Sequence, residues 1–279
     1  MKIRVVFFAL AAMAAIACGQ TAEERVKAYE EAHEAMMQEY TQTMDSLSTD
    51  KEKAEEFYNS FVEKYVAFNL DAAKKNPKND VAVQVLSNLR GLIEDDQVAE
   101  IIANMTPEML ENEMVARLSK GLEARKNTAE GKMYIDFTVE HVYGYDRSVD
   151  PQPLKKEVKF SEYVGNGKYV LVDFWSPWCG PCRREMPNIK TVYDQYKDKG
   201  LDVISLTVWE RKPQSHTFET AAQLEMDWTV LTNCGTIPTD IYGVEGIPHV
   251  MLIGPDGTIL RRGLHGAGIE EAVAEYLTK

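Results

Sequence analysis

Residues 170–175 form an apolar run, broken only by Asp173. The run leads through Ser176, Pro177 and Trp178 directly into Cys179-Gly180-Pro181-Cys182, and a helical pattern follows to residue 197. A buried strand that feeds a cysteine pair at the opening of a helix constrains this chain more than any other feature, because it demands a sheet with a helix packed against it. It also places chemistry. A thiolate at a helix N-terminus faces backbone N–H groups without intrahelical partners and the positive end of the helix dipole, which favours its ionised form. Cys179 is expected at that end as the more exposed sulfur. Cys182, one turn further in, is expected to be shielded and placed to attack a mixed disulfide from behind. Two inert core cysteines would not explain why the pair opens a helix after a strand.

From about residue 131 the chain reads as α/β. Residues 133–142 alternate, with Tyr134, Asp136, Thr138 and Glu140 on one side and Ile135, Phe137, Val139 and His141 on the other, the period of a strand. A loop carrying Pro151 and Pro153 follows. Strands are expected at 168–175 and 201–208, and a hairpin at 248–253 and 258–262 about the turn Gly254-Pro255-Asp256-Gly257. Helices at 181–197, 215–225 and 269–277 complete a mixed sheet flanked by helices.

Residues 21 to about 130 read as helix throughout. Phe57, Phe61, Val62, Tyr65 and Phe68 recur at helical spacing behind an expected cap at Thr49 with Glu52. Pro77 and Asn79-Asp80 interrupt the pattern. Thr106-Pro107 is a second start signal, ahead of Met109, Leu110, Met114, Leu118 and Leu122. Three or four antiparallel helices are expected, and no catalytic constellation is visible among them. The Met and aromatic residues here are read as packing. The organisation is therefore a signal peptide at 1–17, a helical domain of unknown role at 18–130, and the α/β domain at 131–279.

Charge excludes some functions. Lys and Arg total 31 against 44 Asp and Glu, a net −13, so the chain lacks the basic field that nucleic-acid phosphates require and no nucleic-acid partner is expected. The acids of the helical half are read as a solvated helix face. Lys2 and Arg4 precede an apolar run at 5–17 that is too short to span a bilayer and has the length of a signal-peptide core. Two cleavage readings compete. Ala15-Ile16-Ala17 fits ordinary secretion, whereas the same residues followed by Cys18 are similar to a bacterial lipoprotein box, which would lipidate Cys18. The second is preferred, because a free cysteine at a new N-terminus is an odd thing to leave in an oxidising compartment. Of the four cysteines this leaves Cys179, Cys182 and Cys234. None of His33, His141, His216, His249 and His265 makes a metal-ligand spacing with the cysteine pair, so no metal is expected. Cys234 is read as an inert thiol or, less favoured, as an auxiliary redox group.

The segment Trp178-Cys179-Gly180-Pro181-Cys182 resembles the active site of the thioredoxin superfamily. Spaced features match as well. Asp173 falls where thioredoxins carry a buried acid that accepts the proton of the second cysteine, Pro187 where their active-site helix has its proline, and Gly246-Ile247-Pro248 where they have a cis-proline loop against the disulfide. The run Arg183-Arg184-Glu185-Met186-Pro187 is similar to the extracytoplasmic, usually membrane-tethered TlpA/ResA type, in which a glutamate here is a second candidate acid. The resemblance covers 131–279. It implies catalytic roles for Cys179, Cys182, Asp173 and Glu185, although a plain surface salt bridge would also explain Glu185. It implies a docking surface made by Trp178, Gly180, Pro181, Ile247 and Pro248, with the Ile247 backbone offered to an extended substrate segment. Burial is expected to raise the pKa of Asp173. His249 departs from the family pattern, which commonly has a small hydroxyl residue after the proline.

The implied activity is extracytoplasmic thiol–disulfide exchange, most readily reduction of protein disulfides, because a Gly-Pro pair between the cysteines resembles the reducing members. No cofactor is expected beyond the redox-active Cys179–Cys182 disulfide. The implied partners are disulfide-containing proteins and a membrane thiol that donates electrons, with a lipid anchor at Cys18. Two alternatives stand beside it: a thiol peroxidase on the same fold, and a redox-gated lipoprotein that binds a partner through its helical half.

Overall fold

In the computed structural model, which describes residues 21–146 and 148–278, helix persists to Asn127 and strand begins at Thr138. The signal peptide expected at 1–17 and the lipidation expected at Cys18 lie outside the described residues. By compactness the chain divides between Ser119 and Lys120, inside the last helix of the helical half. The first unit holds two long helices, α1 (Ala22–Ser46) and α2 (Lys51–Lys75), then α3 (Asp80–Asn88), α4 (Asp95–Ala103), the single turn α5 (Pro107–Leu110) and the start of α6 (Glu113–Asn127). Six helical segments among the described residues replace the three or four expected, because α4 starts separately behind the cap at Glu94 and Asn112, whose Oδ1 accepts the Met114 N–H, splits the segment that follows Pro107. A second difference lies at α2, whose cap is Asp50, not Thr49: the Asp50 carboxylate accepts the Lys53 N–H and pairs with the Lys53 ammonium at 2.6 Å.

Val81, Ala82, Val85, Leu89 and Val115 are wholly buried at the centre of this unit. One polar pin crosses it. The Tyr29 hydroxyl donates to Asn69 Oδ1 at 2.5 Å and accepts from Asn88 Nδ2 at 2.8 Å, so α1, α2 and α3 share a satisfied buried network.

The second unit takes the rest of α6 and then β1 (Thr138–Tyr145), paired antiparallel with β2 (Pro153–Lys159) as a separate two-stranded sheet. The remainder runs β3 (Tyr169–Trp175), α7 (Gly180–Tyr196), β4 (Leu201–Thr207), α8 (Gln214–Gln223), β5 (Thr229–Leu231), α9 (Ile237–Tyr242), β6 (His249–Ile253), β7 (Ile259–Leu264) and α10 (Ala267–Leu277). The five strands lie in the order β5-β4-β3-β6-β7, with β3, β4 and β5 parallel and β6 and β7 antiparallel to their neighbours. This is the mixed, helix-flanked sheet of a thioredoxin-like domain. Strand β3 is central and buried on both faces: Val170, Val172 and Phe174 join one apolar cluster, Leu171 and Trp175 the other. The second cluster also takes Cys182, Met186 and Ile189 from α7 and Ile269 and Val273 from α10, so it is the layer beneath the cysteine pair.

Three elements escape the sequence pattern. Strand β2 was expected to be loop: it starts at a proline and is exposed from Leu154 to Glu157, so it has no apolar alternation to read. Strand β5 has three residues and α9 six, too short for periodicity. Regular pairing of β1 also begins at Thr138, five residues later than the alternation suggested, with only an isolated bridge at Met133 before it.

Gly243 ends α9 with φ +61°, and a Cβ there would lie 2.6 Å from the Gly121 carbonyl and 2.7 Å from Arg125 Cγ. Gly243→Ala therefore combines left-handed strain with a backbone clash, and is expected to cost about 2–4 kcal/mol. A lower urea midpoint at unchanged slope checks it.

Candidate active site

Strand β3 ends at Trp175, and the chain turns through Ser176, whose hydroxyl donates to the Val208 carbonyl. The next residues bring Cys179 to the N-cap of α7, with φ −79° and ψ 100°. Its Sγ accepts the backbone N–H of Cys182 at 3.1 Å, so the sulfur occupies the position that a capping oxygen fills in an ordinary helix. Negative charge on that sulfur is favoured by this N–H and by the helix dipole. Cys179 and Cys182 are joined as a disulfide, with Cα atoms 5.3 Å apart. Both are buried, Cys179 at 4% exposure and Cys182 at 0%, which gives Cys179 the slight access expected of the attacking sulfur.

The surface around the pair comes from three loops. Gly180 and Pro181 are exposed on the first turn of α7. Trp178 is 36% exposed, its Nε1 donates to the Trp209 carbonyl at 3.0 Å, and the Arg211 guanidinium lies 3.8 Å over its ring. The Ile247–Pro248 peptide is cis, and the Ile247 carbonyl oxygen lies 3.8 Å from Cys179 Sγ. The structure thus gathers Trp178, Gly180, Pro181, Ile247 and Pro248 about Cys179. Arg211 and Trp209 belong to the same surface but carried no sequence signal, because their place depends on the loop after β4 returning to the tryptophan.

Asp173 lies on β3 between Leu171 and Trp175 and so faces the α7 side of the sheet. It is 1% exposed, and its pKa is pushed up to about 7, first by burial and then by the charge of Glu185, against the lowering effect of a hydrogen bond from Ser205. That bond, Ser205 Oγ to Asp173 Oδ2, is 2.9 Å long, and among the described residues Oδ1 has no hydrogen-bond partner. Glu185 is half-buried on α7. Its Oε1 accepts from the Gly266 backbone N–H at 3.0 Å and from Asn188 Nδ2 at 2.7 Å. Neither role considered from the sequence anticipated this clamp between α7 and the turn before α10.

Three further groups complete the surroundings. His249 faces the other side of the sheet, edge-on to Phe174, and burial together with Arg262 and His265 lowers its pKa to about 4. The imidazole is therefore neutral near pH 7. Cys234 is a free thiol at 0% exposure whose pKa is raised by burial and by nearby Glu210. Trp175 is wholly buried packing. Among the described residues no group of three or more His, Cys, Asp or Glu is placed to hold a metal ion, and no helix is long and apolar enough to cross a membrane.

The model of the AhpC/TSA family matches residues 131–262. The thiol-disulfide oxidoreductase ResA of Bacillus thuringiensis subsp. konkukian is 32% identical over 124 residues, 44% of this chain and 69% of that protein. ResA of Bacillus subtilis is 25% identical over 153 residues, 55% of this chain and 76% of that protein. Among solved structures, a thioredoxin-like protein from Bacteroides caccae aligns over 82% of this chain and 85% of its own at 16% identity. Its TM-score of 0.53 shows the fold.

Two outcomes follow from the burial of these groups. In the unfolded chain Asp173 ionises near 3.8, and in the folded chain near 7. Below 3.8 it is protonated in both states and has no effect on stability. As pH rises to 7 only the unfolded chain releases the proton, so folding loses about 4 kcal/mol, a loss that is complete above 7. The stability of Asp173→Asn relative to the wild-type disulfide form should therefore climb between pH 4 and 7 and then level off, as read from urea titrations across that range. For Cys234, alkylation of the reduced native protein should label Cys179 within the time that leaves Cys234 unmodified, and peptide mass spectrometry should find Cys234 labelled only after denaturation.

Proposed function

This chain belongs to the ResA-type thioredoxin-like thiol-disulfide oxidoreductases, and from that footing we propose that it acts outside the cytoplasm as a reductant of protein disulfides. The observation that carries the reading is the placement of Cys179 Sγ at a helix N-cap, 3.8 Å from the Ile247 carbonyl and bonded to a fully buried Cys182. In the dithiol form, Cys179 attacks one sulfur of a substrate disulfide and expels the other as a thiolate. Cys182 then gives its proton to Asp173 and attacks Cys179. The substrate's second thiolate leaves, and the Cys179–Cys182 disulfide re-forms. Two electrons pass to the substrate. They are carried in the cysteine pair, which a membrane thiol donor restores.

An extended substrate segment is taken to lie along the Ile247–Pro248 loop and against Trp178 and Pro181. The reducing direction rests on Gly180-Pro181, which resembles the reducing members of the superfamily. The export reading rests on Lys2, Arg4 and the apolar run to Ala17, with Cys18 as the lipidated residue. Glu185 is assigned to holding the turn at Gly266 and, by its charge, to keeping Asp173 ready to hold a proton near neutral pH.

A thiol peroxidase is the second reading, favoured by the AhpC/TSA match. Against it stands the direct bond between Cys179 and a cysteine one helical turn away. The test uses the reduced soluble protein with a model protein disulfide. Wild type should yield free substrate thiols, Cys182→Ser should stop at a mixed disulfide through Cys179, and Cys179→Ser should do neither. Peroxide consumption that outpaces disulfide reduction, or a Cys182→Ser protein that accumulates no mixed disulfide, would favour the peroxidase.

A further inference from the structure

Asp173 does not stand alone in the sheet. Its partner across the β3–β4 register is Ser205, which puts both side chains on the face beneath α7. Ser205 is 0% exposed, and its hydroxyl does two things: it donates to Asp173 Oδ2 at 2.9 Å and accepts from Trp228 Nε1 at 2.9 Å. An indole N–H is a donor and never an acceptor. The hydrogen of Ser205 therefore cannot turn toward Trp228, and its favourable direction is toward the carboxyl. The indole is itself held by α7, since Tyr193 packs on Trp228 at 5.7 Å with ring planes 72° apart. The helix that carries the resolving cysteine thus also fixes the far end of the chain of bonds.

We propose that Trp228 and Ser205 are positioning residues for the exchange reaction: they form a one-way hydrogen-bond relay that occupies Asp173 Oδ2 and leaves Oδ1 as the atom that takes the Cys182 proton. The proposal rests on the reading of Asp173 as the proton acceptor. Its chemistry is balanced: the Cys182 S–H bond breaks, the proton moves to Oδ1, and the electron pair left on sulfur forms the bond to Cys179. A protonated Oδ2 would force Ser205 to accept twice and to aim its own hydrogen into an apolar layer, which costs the desolvation of an unpaired donor. The relay also stabilises the carboxylate against its burial, so the acid is ionised at a lower pH than the cavity alone would allow. The charge that acts on Asp173 is that of Glu185 from α7, β6 presents Val250 across the register, and Cys182 from α7 with Ile269, Ala272 and Val273 from α10 belongs to the apolar layer on this face.

The test follows the resolving step as a function of pH, using the reduced protein and an aromatic disulfide that releases a coloured thiolate at each of the two steps. The second release should rise with pH through a limb set by Asp173. Ser205→Ala should move that limb to higher pH by roughly one unit, because a hydrogen bond to the charged form is lost. Trp228→Phe should move it the same way by less, and Ser205→Thr should return it. The double variant should match Ser205→Ala alone, since Trp228 acts through the serine. The proposal is overturned if Asp173→Asn removes the limb but Ser205→Ala leaves it in place, or if the two single shifts simply add. If Asp173→Asn leaves the limb untouched, it is the proton-acceptor reading that fails, and the relay falls with it.

Discussion

A carboxyl group buried behind a disulfide is the constraint around which the α/β unit is organised. Taking Asp173 out of water costs several kcal/mol unless the group is neutral or hydrogen-bonded, and among the described residues its one donor is Ser205. The surrounding layer is dense and apolar, from Leu171 and Trp175 on β3 to Met186 and Ile189 on α7. That density keeps the acid's pKa near 7 and keeps water from Cys182. In the proposed exchange this acid takes the Cys182 proton, and the same two sulfurs without it would lack an acceptor matched to neutral pH.

The helix N-terminus supplies the complementary half of the chemistry. One sulfur replaces a capping oxygen and receives a backbone N–H, while the other is one turn inward and sealed. The proposed exchange thereby separates attack and resolution by position on a single helix. The loop with the cis Ile247–Pro248 peptide brings a carbonyl to Cys179 Sγ, and Trp178 with Arg211 forms the neighbouring wall. The site is thus assembled from the strand end, the helix start and two loops that converge on the disulfide.

Much of this was legible in the sequence because it is local. A strand, a cysteine pair and a helix in direct succession specify their own geometry, and Asp173 follows from its position on the strand. Pro248 was legible as part of a motif. What could not be read depends on pairing across the sheet. Ser205 is unremarked in its own strand, and Trp228 is one aromatic among many until β4 and β5 align it. Glu185 showed a charge on a helix, but not the Gly266 N–H that it holds. In the helical half, the cap moved from Thr49 to Asp50 because a carboxylate that also pairs with Lys53 outcompetes a hydroxyl. There the sequence pattern gives helices but no chemistry, and the Tyr29, Asn69 and Asn88 network is a packing device by its burial and full satisfaction.

A reductant must hold its electrons at a low potential, so the reduction potential of the Cys179–Cys182 pair tests the proposed direction most directly. Equilibrating the soluble protein with defined ratios of oxidised and reduced dithiothreitol, and quantifying the Cys179–Cys182 dithiol at each, gives the value. A potential near that of thioredoxin, about −270 mV, or lower is the predicted result. A potential near about −120 mV, that of a strong disulfide donor, would contradict it and reverse the direction of electron flow.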